Sequence, residues 1–384
     1  MPTAISPRLE NGAVVADVTT VTDLRGFGML ERQWNSLVTA HNDSLFLRHE
    51  FLRVWLESFA RQDRIEILTG WSVGNRLIAG LPLVRQHGSI RGIPVRQIVS
   101  ACNSHSCRFD MIAENPADAG EAFFRQLECQ TDWDVLQIAD VPEGGQAWHL
   151  YRAAIARGYP AGAWASQRSP YLLLPSSEEE LQDCVSTQLR ASARRKLRHM
   201  EKRGATTIDR IETGDLEPIL EGFFKLEHSG WKGRNGTACD QDEHTRSFYT
   251  RLAQIAAEKH WLSLFRLSLD GETAASHYGL TYNGAYLLPK LAFREEFSDL
   301  SPGLVLMHEV LRDCMARKLT SIDFLGSEDE WKTRWSRTVL PHYWLYVFAN
   351  TWKGRLLHKM KFKWAHLAKD IFHAGASHRC VGSN

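Results

Sequence analysis

Apolar residues recur at helical spacing, then alternate, then return to helical spacing along the chain. Leu30, Trp34, Leu37 and Val38 lie three or four apart, as do Phe51, Leu52, Trp55, Leu56 and Phe59, which predicts two early amphipathic helices. The runs RIEILTGWSV, RLIAGLPLVRQ and VRQIVSAC read as strands, with Asn75-Arg76 where a hairpin turn belongs. AGEAFFRQLECQ and AWHLYRAAIARG read as helices around the strand WDVLQIADV. A similar order then repeats. YLLLP is a strand; EEELQDCVSTQLRASARRKLRHMEKRG is a helix ending at Gly204; ATTIDRIET is a strand. Two more helices follow, the first with Asp215 as its N-cap. Asp270-Gly271 and Asn283-Gly284 break the next apolar stretch into hairpin strands. GLVLMHEVLRDCMARK is a helix, and SIDFLG and HYWLYVFAN are strands.

This pattern predicts an α/β (α+β) chain of two units, each a mixed, largely antiparallel sheet flanked by helices. The expected boundaries are a loose tail over 1–20, a first unit over 21–168, a second over 169–350 and a basic amphipathic segment over 351–384. The junction falls near Ser166–Tyr171. A length of 384 residues suits two domains, and 43% apolar residues supply their cores. In the last segment, Leu357, Met360, Trp364, Leu367 and Ile371 form one stripe among lysines. Such a helix either packs its stripe on the body, the reading favoured here, or lies on an anionic membrane as a peripheral contact.

Net charge is +1, so bulk attraction to DNA is not expected and any basic site is local. Seven cysteines in no repeated spacing argue against a disulfide framework, and Cys102, His105 and Cys107 lack a second half for a metal site, so no metal is expected. The first residues show neither a basic nor an apolar leader segment, and no apolar run reaches the length of a membrane span, so a cytoplasmic location is expected.

The chemistry concentrates in the second half. In SDLSPGLVL, Ser301 suits a helix cap, Pro302 the first turn, and Gly303 a close approach to the backbone. A helix start presents free N–H groups and a positive dipole end, which suits an anion. The strand SIDFLG leads into a loop carrying Asp323, Glu328, Asp329 and Lys332, with Trp331 beside them. A carboxylate there would take a proton from a nucleophile, and a lysine would steady an oxyanion or bind an acceptor carboxylate. Lys290 stands in the otherwise apolar strand LLPKLAF, and His277 alternates with apolar neighbours in AASHYGL. HSGWKGRNGT brings His228 and Trp231 onto a glycine-rich loop suited to a substrate wall. Arg194, Arg195 and Arg198 belong to a basic helix that would meet a phosphate, an acyl carrier protein or an RNA backbone.

Four segments in order carry a family resemblance: LRASARRKLRHMEKRG, FFKLEHSGWKGRNG, ASHYGLTYNGAYLLPKLAFREEFSDLSPGLVLMHEVL and IDFLGSEDEWKTRW. They resemble the acetyltransferase domain of the cellulose-biosynthesis-associated GNAT proteins (the BcsL/CelD type), which are related to the Fem-type peptidyltransferases. The resemblance covers roughly residues 180–340, and more loosely LFLRHEFLRVWLESF and LIAGLPLVRQ in the first half. It implies two tandem GNAT-like domains and transfer of an acyl group from acyl-CoA, as co-substrate, to an amine or hydroxyl of a small molecule or sugar. A setting in exopolysaccharide or envelope synthesis goes with it. Ser301, Pro302, Gly303 and Leu304, with Arg194, Arg195 and Arg198, would hold the donor. The catalytic set would come from Lys290, Asp323, Glu328, Asp329 and Lys332. His228, Trp231, His277 and Trp331 would wall the substrate. The glycine-rich pyrophosphate pattern of ordinary GNAT domains is absent, and Ser301-Pro302-Gly303 stands in its place. Two rivals follow: a Fem-like transferase fed by aminoacyl-tRNA or acyl carrier protein, and a non-catalytic GNAT-fold partner of a polysaccharide-synthesis complex.

Overall fold

Tight turns set the register of the sheet. Asp270 and Gly271 take φ of 49° and 82°, and Asn283 and Gly284 take 47° and 75°. Two successive left-handed residues match the right-handed twist of the strands they join. Arg91 and Gly92, at 49° and 83°, close a further hairpin. In the computed structural model, residues 13–60, 63–177 and 179–363 are described.

Among the described residues, thirteen strands form one sheet: β1 (Asp17–Val21), β2 (Arg64–Trp71), β3 (Leu77–Ile90), β4 (Ile93–Ser100), β5 (Ile112–Ala113), β6 (Val135–Pro142), β7 (Ala161–Leu173), β8 (Thr206–Ile211), β9 (Leu264–Leu269), β10 (Glu272–Tyr282), β11 (Ala285–Phe293), β12 (Ser321–Asp323) and β13 (Val339–Phe348). Their order is β1-β2-β3-β4-β6-β13-β7-β12-β11-β10-β9-β8, with β5 against β3. Most pairs are antiparallel; β4–β6 and β11–β12 are parallel. The fold is thus the mixed, mainly antiparallel α/β arrangement read from the sequence.

The last strand of the second half lies elsewhere than the chain order suggests. β13 pairs with β6 and β7, inside the sheet of the first half. β7 joins the halves: its residues Ala161–Pro170 pair with β13, and Tyr171–Leu173 with β12. Residues 1–12 of the expected tail lie outside the described residues, and Asp17–Val21 is an edge strand on β2. The expected helix over 178–204 is broken at Val185, which is extended, into Leu181–Cys184 and Thr187–Arg203.

Helices cover both faces. On one face, Glu31–His41 and His49–Phe59 of the first half share a continuous core with Leu216–Ser229 and Glu243–Glu258 of the second. Phe248 meets Phe51 and Phe59 edge-on or tilted, at ring distances of 5.8 and 5.1 Å. On the other face the cores are separate. Pro116–Glu128 and Ala147–Ala156 cover the first half, and Thr187–Arg203 and Pro302–Ala316 the second. Helix Trp352–His358 buries Leu357, and Lys361 lies 4.4 and 4.1 Å from the ring centres of Trp164 and Tyr346. Trp364, Leu367 and Ile371 of the expected stripe lie outside the described residues. Among the described residues no helix is long and apolar enough to cross a membrane.

Candidate active site

β11 and β12 run side by side for three residues only. Ala285 faces Ser321, Tyr286 faces Ile322, and Leu287 faces Asp323. Past that point β11 continues to Phe293 along β10, while the other chain swings away through Leu325 and Gly326, both left-handed at φ 52° and 63°. Among the described residues, the parted strands leave one edge of β11 past Leu287 without a strand partner. A register shift opposite Leu288 and Pro289 bends β11 at the same place. Proline fits there because a bulge needs no ladder N–H.

A cavity of about 640 Å³ fills the gap. Leu288–Phe293 form one side and Phe324–Gly326, Trp331 and Trp335 the other. Residues 301–304 close one end, and Ser104 and Cys107 enter from the first half. Of the residues read from the sequence, Lys290, Asp329, Lys332, Ser301, Pro302, Gly303, Leu304, His277 and Trp331 meet here.

Ser301 stands at the cap position, but its hydroxyl makes no cap hydrogen bond, contrary to expectation. The residue is left-handed (φ 51°), and its carbonyl accepts from Leu304 N and Val305 N at 3.0 and 3.2 Å. Pro302 has no N–H, so the Gly303 amide is the first-turn donor left for a ligand. A Cβ at Gly303 would touch only Phe293 Cδ1, at 3.8 Å, so there is open space beside the backbone here. Arg194, Arg195 and Arg198 are exposed on helix Thr187–Arg203 and do not line the cavity. Their neighbours act instead: Lys196 donates to the Asp299 carbonyl, and Arg203 to the Asp299 carboxylate at 2.9 Å, fixing the approach to Ser301.

Lys332 is buried and donates three times, to Leu325 O (2.7 Å), Ser327 O (2.8 Å) and Asp329 Oδ2 (2.9 Å). With all three N–H bonds committed, it is a brace for the exit loop and not a free catalytic cation. Asp329 is tied to the same ammonium. His277 is buried with Nδ1 lacking a partner, and burial pushes its pKa down to about 3, so it is neutral at physiological pH.

Glu227, missed from the sequence, anchors the opposite wall. Its side chain is fully buried and accepts from Lys232 Nζ at 2.7 Å and Cys239 N at 2.9 Å. Burial raises its pKa, but Lys232 and Lys290 outweigh that and hold it below the ordinary value. Lys232 also donates to Leu291 O at 2.8 Å, and burial holds its pKa down. A signal was present: Leu216, Leu220, Phe223 and Glu227 fall on one buried stripe, so the helix carries a carboxylate on its apolar face.

Three further expected residues, Asp323, Glu328 and His228, lie elsewhere. Asp323 faces away, into a second cavity of about 620 Å³, where Arg108 Nη2 donates to it at 2.7 Å. Strand alternation is the reason: Phe324 takes the first cavity and Asp323 the second. The cavities stand back to back, since Leu288 and Cys107 line the first while Leu287 and Arg108 line the second. Arg108 Nε also donates to His342 Nε2 at 3.3 Å. Glu328 pairs with Arg168 at 2.7 Å on the exposed side of the loop. His228 pairs with Asp240 at 2.9 Å, half exposed. Trp231 begins the short helix Trp231–Arg234, and its side chain lies outside what is described.

Residues 187–333 match the acetyltransferase (GNAT) domain family. No curated protein matches the chain. Among solved structures, FemX is similar at 12% identity over 87% of this chain and 98% of its own, with a TM-score of 0.58. The C-terminal DUF2156 domain of a putative lysylphosphatidylglycerol synthetase from Agrobacterium fabrum is similar at 10% identity, over 84% and 92%, TM-score 0.52. L-PGS from Bacillus licheniformis is similar at 9% identity, over 86% and 96%, TM-score 0.52. At such identities the likeness is one of fold, and it spans both halves.

Proposed function

We propose that this acyltransferase, whose residues 187–333 form a GNAT acetyltransferase domain, moves an acyl group from acyl-CoA to an amine or hydroxyl of a small molecule or sugar. The observation that carries the reading is the parting of β11 and β12 at a cavity closed by a helix start. The pantetheine arm of CoA laid in the gap would pair with the open edge of β11, and the CoA pyrophosphate would meet the Gly303 amide and the dipole of helix Pro302–Ala316.

The nucleophile attacks the thioester carbonyl, its bond to the acyl carbon forms, the C–S bond breaks, and the leaving thiolate takes up the released proton. Within the first cavity the two carboxylates, Glu227 and Asp329, are both ion-paired, and neutral His277 is a weak base. The chain therefore contributes positioning and exclusion of water more than proton transfer. An amine acceptor would enter unprotonated, so kcat/KM should rise with pH up to the acceptor's own pKa.

The resemblance to cellulose-associated GNAT proteins supports an acceptor from exopolysaccharide or envelope synthesis. A donor on acyl carrier protein or tRNA is the second reading. It is favoured by the exposed Arg194, Arg195 and Arg198, whose helix packs against Pro302–Ala316, and by the Fem-type fold. Calorimetry with acetyl-CoA and a long-chain acyl-CoA tests the first reading. Saturable binding that Gly303→Trp abolishes and Gly303→Ala retains supports it. No binding by the wild type overturns it and moves the carrier donors ahead.

A further inference from the structure

The charges of the first cavity do not balance. Glu227 and Asp329 stand against Lys232, Lys290, Lys332 and Arg334. Asp329 and Lys332 cancel. Glu227 spends both oxygens on Lys232 and the Cys239 amide. Of the two cations that remain, Arg334 is exposed to water and Lys290 is not. Its side chain is 16% exposed, and among the described residues its nearest carboxylate oxygen is Glu227 Oε1 at 4.0 Å, beyond hydrogen-bond reach. No other acceptor of the described residues comes within reach of its Nζ. The ammonium rests over the Tyr249 ring, 5.5 Å from its centre, a contact that steadies a cation without using its N–H donors. A largely buried cation with unused donors is costly unless something binds it.

Lys290 also lies on the wrong face of the sheet to serve the donor's phosphates. Tyr249 and Tyr278 belong to the core under helices Leu216–Ser229 and Glu243–Glu258. The Pro302–Ala316 helix packs with Tyr286 and Leu288 on the other face. The gap past Leu287 connects the two. An anion at Gly303 and an anion at Lys290 would therefore flank the transfer point from opposite sides.

We propose that Lys290, backed by the Lys232–Glu227 pair, is a subsite for a carboxylate on the acceptor, so that the acceptor is an amino acid, a hydroxy acid or a sugar acid. The inference rests on the acyl-transfer reading above. The group Glu227, Lys232 and Lys290 carries a single surplus positive charge, which matches a monoanion. The carboxylate would hold the nucleophile at the gap, a few bonds from the ammonium.

The experiment uses the full chain and matched pairs: amino acids, 2-hydroxy acids and uronic acids, each with its primary amide. Binding is titrated onto the free chain and onto the chain saturated with CoA, and transfer from acetyl-CoA is read by thiol release. At least one acid is expected to exceed its amide by about tenfold or more, the size of one charge-assisted hydrogen bond. Lys290→Met should erase that preference by raising KM for the acid alone, and Lys290→Arg should restore much of it. Acetyl-CoA affinity and the thermal midpoint of each variant report whether donor site and fold are intact. If no acid outperforms its amide, or if Lys290→Met weakens acetyl-CoA and leaves acid binding alone, the assignment is wrong. Absence of acetyl-CoA binding in the wild type, with acids still binding through Lys290, would overturn the donor reading and leave this one standing.

Discussion

Replacing Lys332 by methionine separates a brace from a catalyst. The methionine fills the space of the alkyl stem and removes only the ammonium. Three hydrogen bonds go with it, but they are unequal. Leu325 is 2% exposed, so its carbonyl is left buried without a donor, at a cost of about 1–3 kcal/mol. Ser327 is exposed, and the Asp329 side chain is 53% exposed, so water replaces the ammonium there and about 0–1 kcal/mol is lost. Leu325 also holds a left-handed conformation that a branched side chain adopts at a cost of about 1–2 kcal/mol. Without the brace the loop can relax that strain by leaving its present path. The expected outcome is a loss of about 2 kcal/mol in urea denaturation, with weaker acyl-CoA binding because the wall at Phe324–Gly326 moves. Asp329→Asn should cost less than about 1 kcal/mol. The reasoning fails if Lys332→Met leaves the urea midpoint and donor affinity unchanged yet abolishes turnover, since the ammonium would then act on the reacting atoms.

Three further outcomes are expected. Burial lowers the pKa of His277 to about 3, and of His105 and His342 to about 4, so all three stay neutral in the fold while the unfolded chain protonates them below about 6.5. The unfolded state then binds more protons, and stability should fall as pH drops from about 6.5 towards 4, by up to about 1.4 kcal/mol per pH unit for each histidine. Urea midpoints across that range check this, and His277→Asn should flatten the slope. Glu227→Gln leaves the part-buried Lys232 and Lys290 without their carboxylate and should cost about 3 kcal/mol by chemical denaturation; a cost under about 1 kcal/mol would show the pair to be dispensable. Gly279→Ala would press its Cβ to 2.5 Å from the Ser263 carbonyl and against the Tyr286 hydroxyl, so a drop in thermal midpoint of several degrees is expected, for a loss of about 1–3 kcal/mol.

Much of the architecture could be read from local patterns, because local chemistry sets it. Asp270-Gly271 and Asn283-Gly284 turn hairpins between strand-forming runs, and apolar stripes at helical spacing bury one face whatever the partner. Ser301-Pro302-Gly303 announced a helix start with an approachable backbone, and a lysine inside LLPKLAF announced an unusual burial. What could not be read were relations between distant segments. Arg108 and Asp323 are 215 residues apart, and nothing local in either indicates the other. Alternation told that Asp323 and Phe324 point opposite ways, but the packing of helices on the two faces of the sheet chose which one faces the gap. β13 lies in the first half's sheet because β6 and β7 leave an open place between them, a vacancy that exists only once the chain has folded. Lys290 and Lys332 look alike as letters. Three acceptors gathered by a turning loop make one a brace, and their absence within reach leaves the other open to a ligand.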